Sequence, residues 1–234
     1  MKALKANYFI ERLKALQPKA KLAGVKSEVV KANQPLGIPM GKLFALAKEL
    51  MEMPLPEVEK LLKNPIHEVR VGAVSMMDFQ ARNKKTADDR KKELFDLYIK
   101  HHSYIDNWDL VDRAAPYVVG GYLFDKSRNI LYRLAASKNI WERRTAIVST
   151  YFFIRKNDVA DTFQLAELLV NDKHDLIHTA VGGWIREAGK RDRPRLLTFL
   201  DKHAATMPRK MLRYAIEHLD KRQKEYYLTI IKST

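Results

Sequence analysis

Apolar residues recur at helical spacing along nearly the whole chain, and no long alternating segment of strand type interrupts them. Phe9, Leu13 and Leu16 mark one helical face; Leu43, Phe44, Ala47 and Leu50 mark another. The breaks are turn-like. They fall at residues 33–39, at Pro54 and Pro56, and at Asn64-Pro65, Gly120-Gly121, Asn171-Asp172 and Met207-Pro208. The pattern predicts an all-α chain with short connectors.

An alanine recurs in a similar apolar and basic setting at Ala73, Ala114, Ala146, Ala180 and Ala215, in steps of 41, 32, 34 and 35 residues. Further helices are predicted between these positions, over residues 126–136, 159–169 and 193–203. A steady period of this size points to a helix-pair array, an α-solenoid, in which a small side chain lets stacked helices approach closely. The residues two places before the alanines are Val71, Asp112, Arg144, His178 and Arg213. Equivalent helices would line them up on one face of the stack. One acid and several bases on a concave surface suit a phosphate-rich ligand; the alternative is a solvated face without a role.

Composition narrows the partner. At 46% hydrophobic, 234 residues are enough for a sizeable core, and the formal net charge of +15 favours a polyanion. The cations are spread over many helices, which fits nucleic acid better than a membrane surface. The chain contains no cysteine, which excludes disulfides and thiolate metal sites and fits a reducing cytoplasm. No apolar run approaches the roughly 18–20 residues of a spanning helix, and the start lacks the apolar core of a signal peptide. A soluble cytoplasmic protein, nucleoid-associated when bound to DNA, is the expectation.

Within this frame a few stretches stand out. Trp108 and Asp112 lie four residues apart, so a helix puts a flat ring and a carboxylate on one face. The plain reading is a core tryptophan beside a surface acid. The sharper one sets Asp112 near Arg144 of the next repeat, with Trp108 as a wall, where a carboxylate could stabilise a developing positive charge or position a water. Arg143 and Arg144 point about 100° apart on a helix. One is expected to pair with Glu142 or a neighbouring helix while the other reaches the concave surface. Trp141 reads as core. Further on, Gly182-Gly183 precede Trp184, Arg186, Lys190, Arg191 and Arg193. Adjacent glycines inside a helix are costly; either helix packing or the close approach of a DNA backbone accounts for them. His174 and His178 have the spacing of a zinc helix without a third ligand, so no metal is expected. His101-His102 reads as surface. No phosphate-cradling glycine loop or nucleophile elbow is present, and no cofactor is expected.

The chain resembles the DNA alkylation repair family of AlkD-type glycosylases, built from HEAT-like repeats. The resemblance runs roughly from residue 36 to Leu219. It rests on Trp108-Asp109-Leu110-Val111-Asp112, Ile140-Trp141-Glu142-Arg143-Arg144-Thr145-Ala146 and Ile185-Arg186-Glu187-Ala188-Gly189-Lys190, in that order. It implies one right-handed α-solenoid domain over residues 1–234, with capping helices over 1–53, HEAT-like repeats over 54–234 and a concave basic face. It also implies a DNA glycosylase that removes positively charged 3- and 7-alkylpurines from duplex DNA by hydrolysing the N-glycosidic bond; a monomer is expected, and no protein partner is implied. By match of motif, Asp112 would be the catalytic carboxylate, Trp108 would pack on the deoxyribose, and Arg144 would hold the backbone near the lesion. Arg186 would contact phosphate, and Arg143, His178, Gly183, Trp184, Lys190 and Arg213 would complete the DNA-binding set. The chain departs from the family where a second active-site tryptophan falls on Gly183, with Trp184 adjacent. Two alternatives stand beside this reading: a non-catalytic HEAT-repeat module for damaged or branched DNA, and a protein-interaction scaffold.

Overall fold

The computed structural model describes residues 4–18 and 36–230. The start of the break expected at 33–39 and much of the expected capping segment lie outside them. The described residues are all-helical, with thirteen α-helices and no strand. They form two compact units, one ending at Tyr122 and one beginning at Leu123.

The first unit contains α1 (Ala6–Lys14), α2 (Met40–Glu49), α3 (Leu55–Leu62), α4 (His67–Arg82) and α5 (Asp88–Lys100). A 3-10 turn (His102–Tyr104), α6 (Trp108–Ala114) and a π-helical segment (Ala115–Gly121) follow. The long, mostly buried α4 is its centre, with α2, α3 and α6 packed against it. Any Cβ at Gly72 would overlap the Phe9 ring, so α1 is seated on α4 at that point.

The second unit runs through α7 (Asn129–Ala135), α8 (Ile140–Arg155), α9 (Ala160–Leu169), α10 (Asp175–Gly189), α11 (Arg193–His203), α12 (Arg209–Ala215) and α13 (Lys221–Thr229). Here α10 is central and packs against α8, α9, α11 and α12. The alanine period has its expected physical meaning inside each unit. Ala73, Ala114, Ala146, Ala180 and Ala215 are all buried. Their helices lie side by side: α4 against α6 in the first unit, and α8 and α12 against α10 in the second.

Helix starts follow the local chemistry. Pro39, Pro54 and Pro208 stand immediately before α2, α3 and α12. Asn139 and Asp192 cap α8 and α11, their side chains accepting from the Trp141 and Arg195 N–H groups. One expected break is corrected. Gly120-Gly121 is not a turn but the end of the π-helical segment, and the chain turns after it. Pro116 has no N–H to give to the preceding turn, which favours the looser hydrogen-bond register there. The break between α8 and α9, not among those read from the sequence, falls at Asn157, whose φ of 60° is a left-handed helix stop that asparagine tolerates.

Candidate active site

The short helix α6 sorts its side chains into three directions. Leu110, Val111 and Ala114 are buried and hold it to the unit. Asp109 and Arg113, one turn apart, reach toward α4. Trp108 and Asp112, also one turn apart, share the remaining face. Asn107 caps the helix, its Oδ1 accepting from the Trp108 N–H at 2.7 Å. Trp108 is 52% exposed, and Asp112 is half-buried. So much bare indole area on the first turn of a helix is a poor use of a tryptophan unless something flat covers it.

The side that faces α4 fixes this presentation. Arg113 lies between the rings of Phe44 and Phe79, each 4.6 Å from the guanidinium carbon. Its Nε donates to Ser75 Oγ at 3.2 Å, and its Nη2 is 3.2 Å from the fully buried carboxyl group of Asp78. Arg82 grips the same Asp78 through two 2.8 Å bonds and stacks on Tyr117. Burial pushes the Asp78 carboxyl above its ordinary value against the pull of the two arginines. At the other end of α6, His67 Nε2 meets Asp109 Oδ2 at 2.7 Å. Next to it, Arg70 donates to Asp106 at 2.9 Å.

The other candidate residues belong to the second unit. Arg143 is committed to its own scaffold: it pairs with Asp172 at 2.6 Å and donates to the carbonyls of Ser137 and Lys138 at 3.0 Å. Arg144 is buried, and its Nη1 donates to the Leu176 carbonyl at 2.7 Å, tying α8 to the first turn of α10. His178 is also buried, with Nε2 2.5 Å from the Asp172 carbonyl. The stripe two places before each alanine is therefore mixed: Val71, Arg144 and His178 are buried, Asp112 is half-buried and Arg213 is exposed. His174 is spent on capping α10, its ring accepting from the Leu176 N–H.

The two adjacent glycines of α10 divide cleanly. A Cβ at Gly182 would lie 2.5 Å from the Met211 carbonyl oxygen and 2.7 Å from Tyr214 Cβ, so this glycine is required by the close packing of α12. At Gly183 an added Cβ meets nothing within 4 Å. Trp184 is half-buried and tilts against Tyr151, with ring centroids 5.1 Å apart. Further along α10, Arg186 pairs with Glu187 and Glu217, and Lys190, just past its end, pairs with Glu187.

The sequence profile described as "DNA alkylation repair enzyme" matches residues 9–219. The chain belongs to the DNA alkylation repair enzyme family. Among solved structures it is similar to one described as "Predicted DNA alkylation repair enzyme from Enterococcus faecalis", with a TM-score of 0.66 and 15% identity over 94% of this chain and 99% of that one. At that identity the likeness speaks for the fold. No curated protein matches the sequence. Membership in the DNA alkylation repair enzyme family implies a role in repairing alkylated DNA. No helix among the described residues is long and apolar enough to cross a membrane.

Two features of this repair-family chain escaped sequence reasoning. The pairing of His67 with Asp109 joins residues 42 apart, and no local pattern signals it. His101 and His102, expected at the surface, are buried at 8% and 4% exposure. His102 sits edge-on to the buried Tyr98, and His101 lies 3.1 Å from Glu59.

Proposed function

We propose that this protein is a DNA glycosylase that releases positively charged 3- and 7-alkylpurines from duplex DNA. The observation that carries the reading is the face of α6, on which an exposed Trp108 and Asp112 stand one turn apart in a chain of this family. An alkylated purine is already cationic, so the bond from its ring nitrogen to the sugar C1′ breaks with the electron pair going to the base. That neutralises the leaving group without a strong general acid. What remains is an oxocarbenium-like sugar. The Asp112 carboxylate stabilises that charge and orients the water whose oxygen adds to C1′, the displaced proton passing to solvent. Trp108 packs flat on the deoxyribose beside the lesion. Arg144, tied to the Leu176 carbonyl, fixes the first turn of α10 behind the surface that meets the DNA backbone. Arg186, Lys190 and Arg213 meet phosphates, the first two exchanging acidic partners for phosphate oxygens. Arg143 and His178 keep α8 and α10 in register for these contacts. The helix-pair solenoid with a concave basic face, the single-domain organisation and the monomeric state are part of the same reading.

The test is product identity. Incubation with a duplex carrying 7-methylguanine is expected to yield free 7-methylguanine and an alkali-labile abasic strand. An intact alkylated strand, bound but unchanged, would contradict it. One observation favours a second reading, a DNA-binding module without excision: Gly183 leaves bare the position where a second aromatic wall is expected. Such a module binds the duplex tightly and salt-sensitively and releases nothing.

A further inference from the structure

We propose that His67 and Asp109 act as a positioning pair that sets Trp108 against its ligand, and that the charge on His67 controls how firmly it does so. This inference rests on the proposed role of the Trp108 face.

The geometry is specific. His67 opens α4, the central helix of its unit, and Asp109 is the second residue of α6. Their 2.7 Å contact joins the two helices at the turn that carries Trp108. Asp109 Oδ1 also accepts from the Leu110 N–H at 2.9 Å, so the carboxyl group holds its own backbone and the neighbouring helix together. Both side chains are about three-quarters buried, at 27% and 21% exposure. The charged groups that face His67 are Asp109 from α6, and Glu68 and Arg70 on α4 itself. Arg70 is in turn held by Asp106 and by the carbonyls of Asn64 and Pro65. The start of α6 thus has two ties: a permanent one through Arg70 to Asp106 in the preceding loop, and one through His67 to Asp109 that depends on a proton.

Asp109 raises the His67 pKa above its ordinary value through the hydrogen bond, against the cost of burial. A raised folded value means that the tie is at full strength below the ordinary histidine value of about 6.5 and weakens as pH rises through the raised one. Trp108 is then held more firmly below that raised value than above it.

The experiment measures single-turnover release of 7-methylguanine from about pH 6 to about pH 9, for wild type, His67→Gln, Asp109→Asn and, as a control for the permanent tie, Arg70→Gln. Duplex affinity and thermal midpoint are read alongside. His67→Gln and Asp109→Asn are expected to slow release by about 10- to 100-fold with little change in affinity, and to abolish the decline of rate in alkali. Arg70→Gln is expected to lower the midpoint and to keep a decline of rate in alkali, moved to higher pH by the loss of a cation that faces His67. A His67→Gln protein with the wild-type rate and profile would overturn the proposal, as would equal, pH-independent losses in His67→Gln and Arg70→Gln. A second readout does not need activity: acrylamide quenching of Trp108, isolated by subtraction of a Trp108→Phe variant. It is expected to increase with pH in wild type and to be flat in His67→Gln; a flat wild-type curve contradicts the pair. If wild type releases no base while quenching follows the expected course, the glycosylase reading fails and the positioning pair stands.

Discussion

Gly182 and Gly183 are adjacent in the sequence and meet different demands. Alanine at Gly182 would push α12 away from α10, because the nearest obstacle is backbone rather than a flexible side chain. The expected loss is about 1–3 kcal/mol in denaturant unfolding, typical of an overpacked site. Alanine at Gly183 meets open space, and its better helix propensity is expected to stabilise the protein by about 1 kcal/mol. If DNA approaches this bare turn, the same substitution weakens duplex binding while it strengthens the fold; unchanged binding would remove Gly183 from the interface. Arg113 is a third residue with a sharp expectation. Its removal leaves Asp78 buried with Arg82 as its remaining arginine partner. Arg113→Ala is therefore expected to cost about 3 kcal/mol, the low end for a broken buried ion pair. A loss below about 1 kcal/mol would mean that Arg82 alone satisfies the carboxyl group.

Among the elements, α6 was partly legible in advance. The spacing of Leu110, Val111 and Ala114 marks its buried side, and Trp108 and Asp112 at a four-residue interval mark its open face. What fixes it from behind was not legible. Asp109 and Arg113 find partners on α4 that only the folded chain brings within reach. Arg143 and Arg144 tell the same story on α8: adjacency foretold that they diverge, but not that a carboxylate and a carbonyl near the start of α10 absorb them. Polar residues buried at the ends of helices leave no periodic trace, which is why His101 and His102 read as surface. Their burial has a consequence for stability. Burial lowers the His101 pKa despite the neighbouring Glu59, and burial, with Lys202 adding to it, lowers that of His203 in the second unit. Each therefore favours the neutral ring in the folded state. The folded state is at full advantage above about pH 6.5 and loses it as pH falls through the lowered values. Thermal midpoints are expected to drop below about pH 6.5, and His101→Asn to flatten part of that drop. A midpoint rising on acidification would mean that the opposite contribution of His67 dominates.

At the scale of the whole molecule, the helical class and most helix starts were readable because prolines and capping side chains stand where helices begin. The alanine period was readable because close helix packing demands a small residue at each crossing. The net charge of +15 carries its own expectation. Duplex affinity should fall steeply with salt, by about 100-fold or more over a fourfold rise in ionic strength, with a log–log slope that counts the phosphates engaged. Weak or salt-insensitive binding would favour a scaffold for protein partners. The most direct test of the central claim is single-turnover release of 7-methylguanine from a defined duplex by wild type beside Asp112→Asn. Release by wild type, reduced by about 100- to 1,000-fold in the variant with binding retained, is the result the account requires. Equal release by both proteins would remove Asp112 from the chemistry, and release by neither would leave a DNA-binding protein.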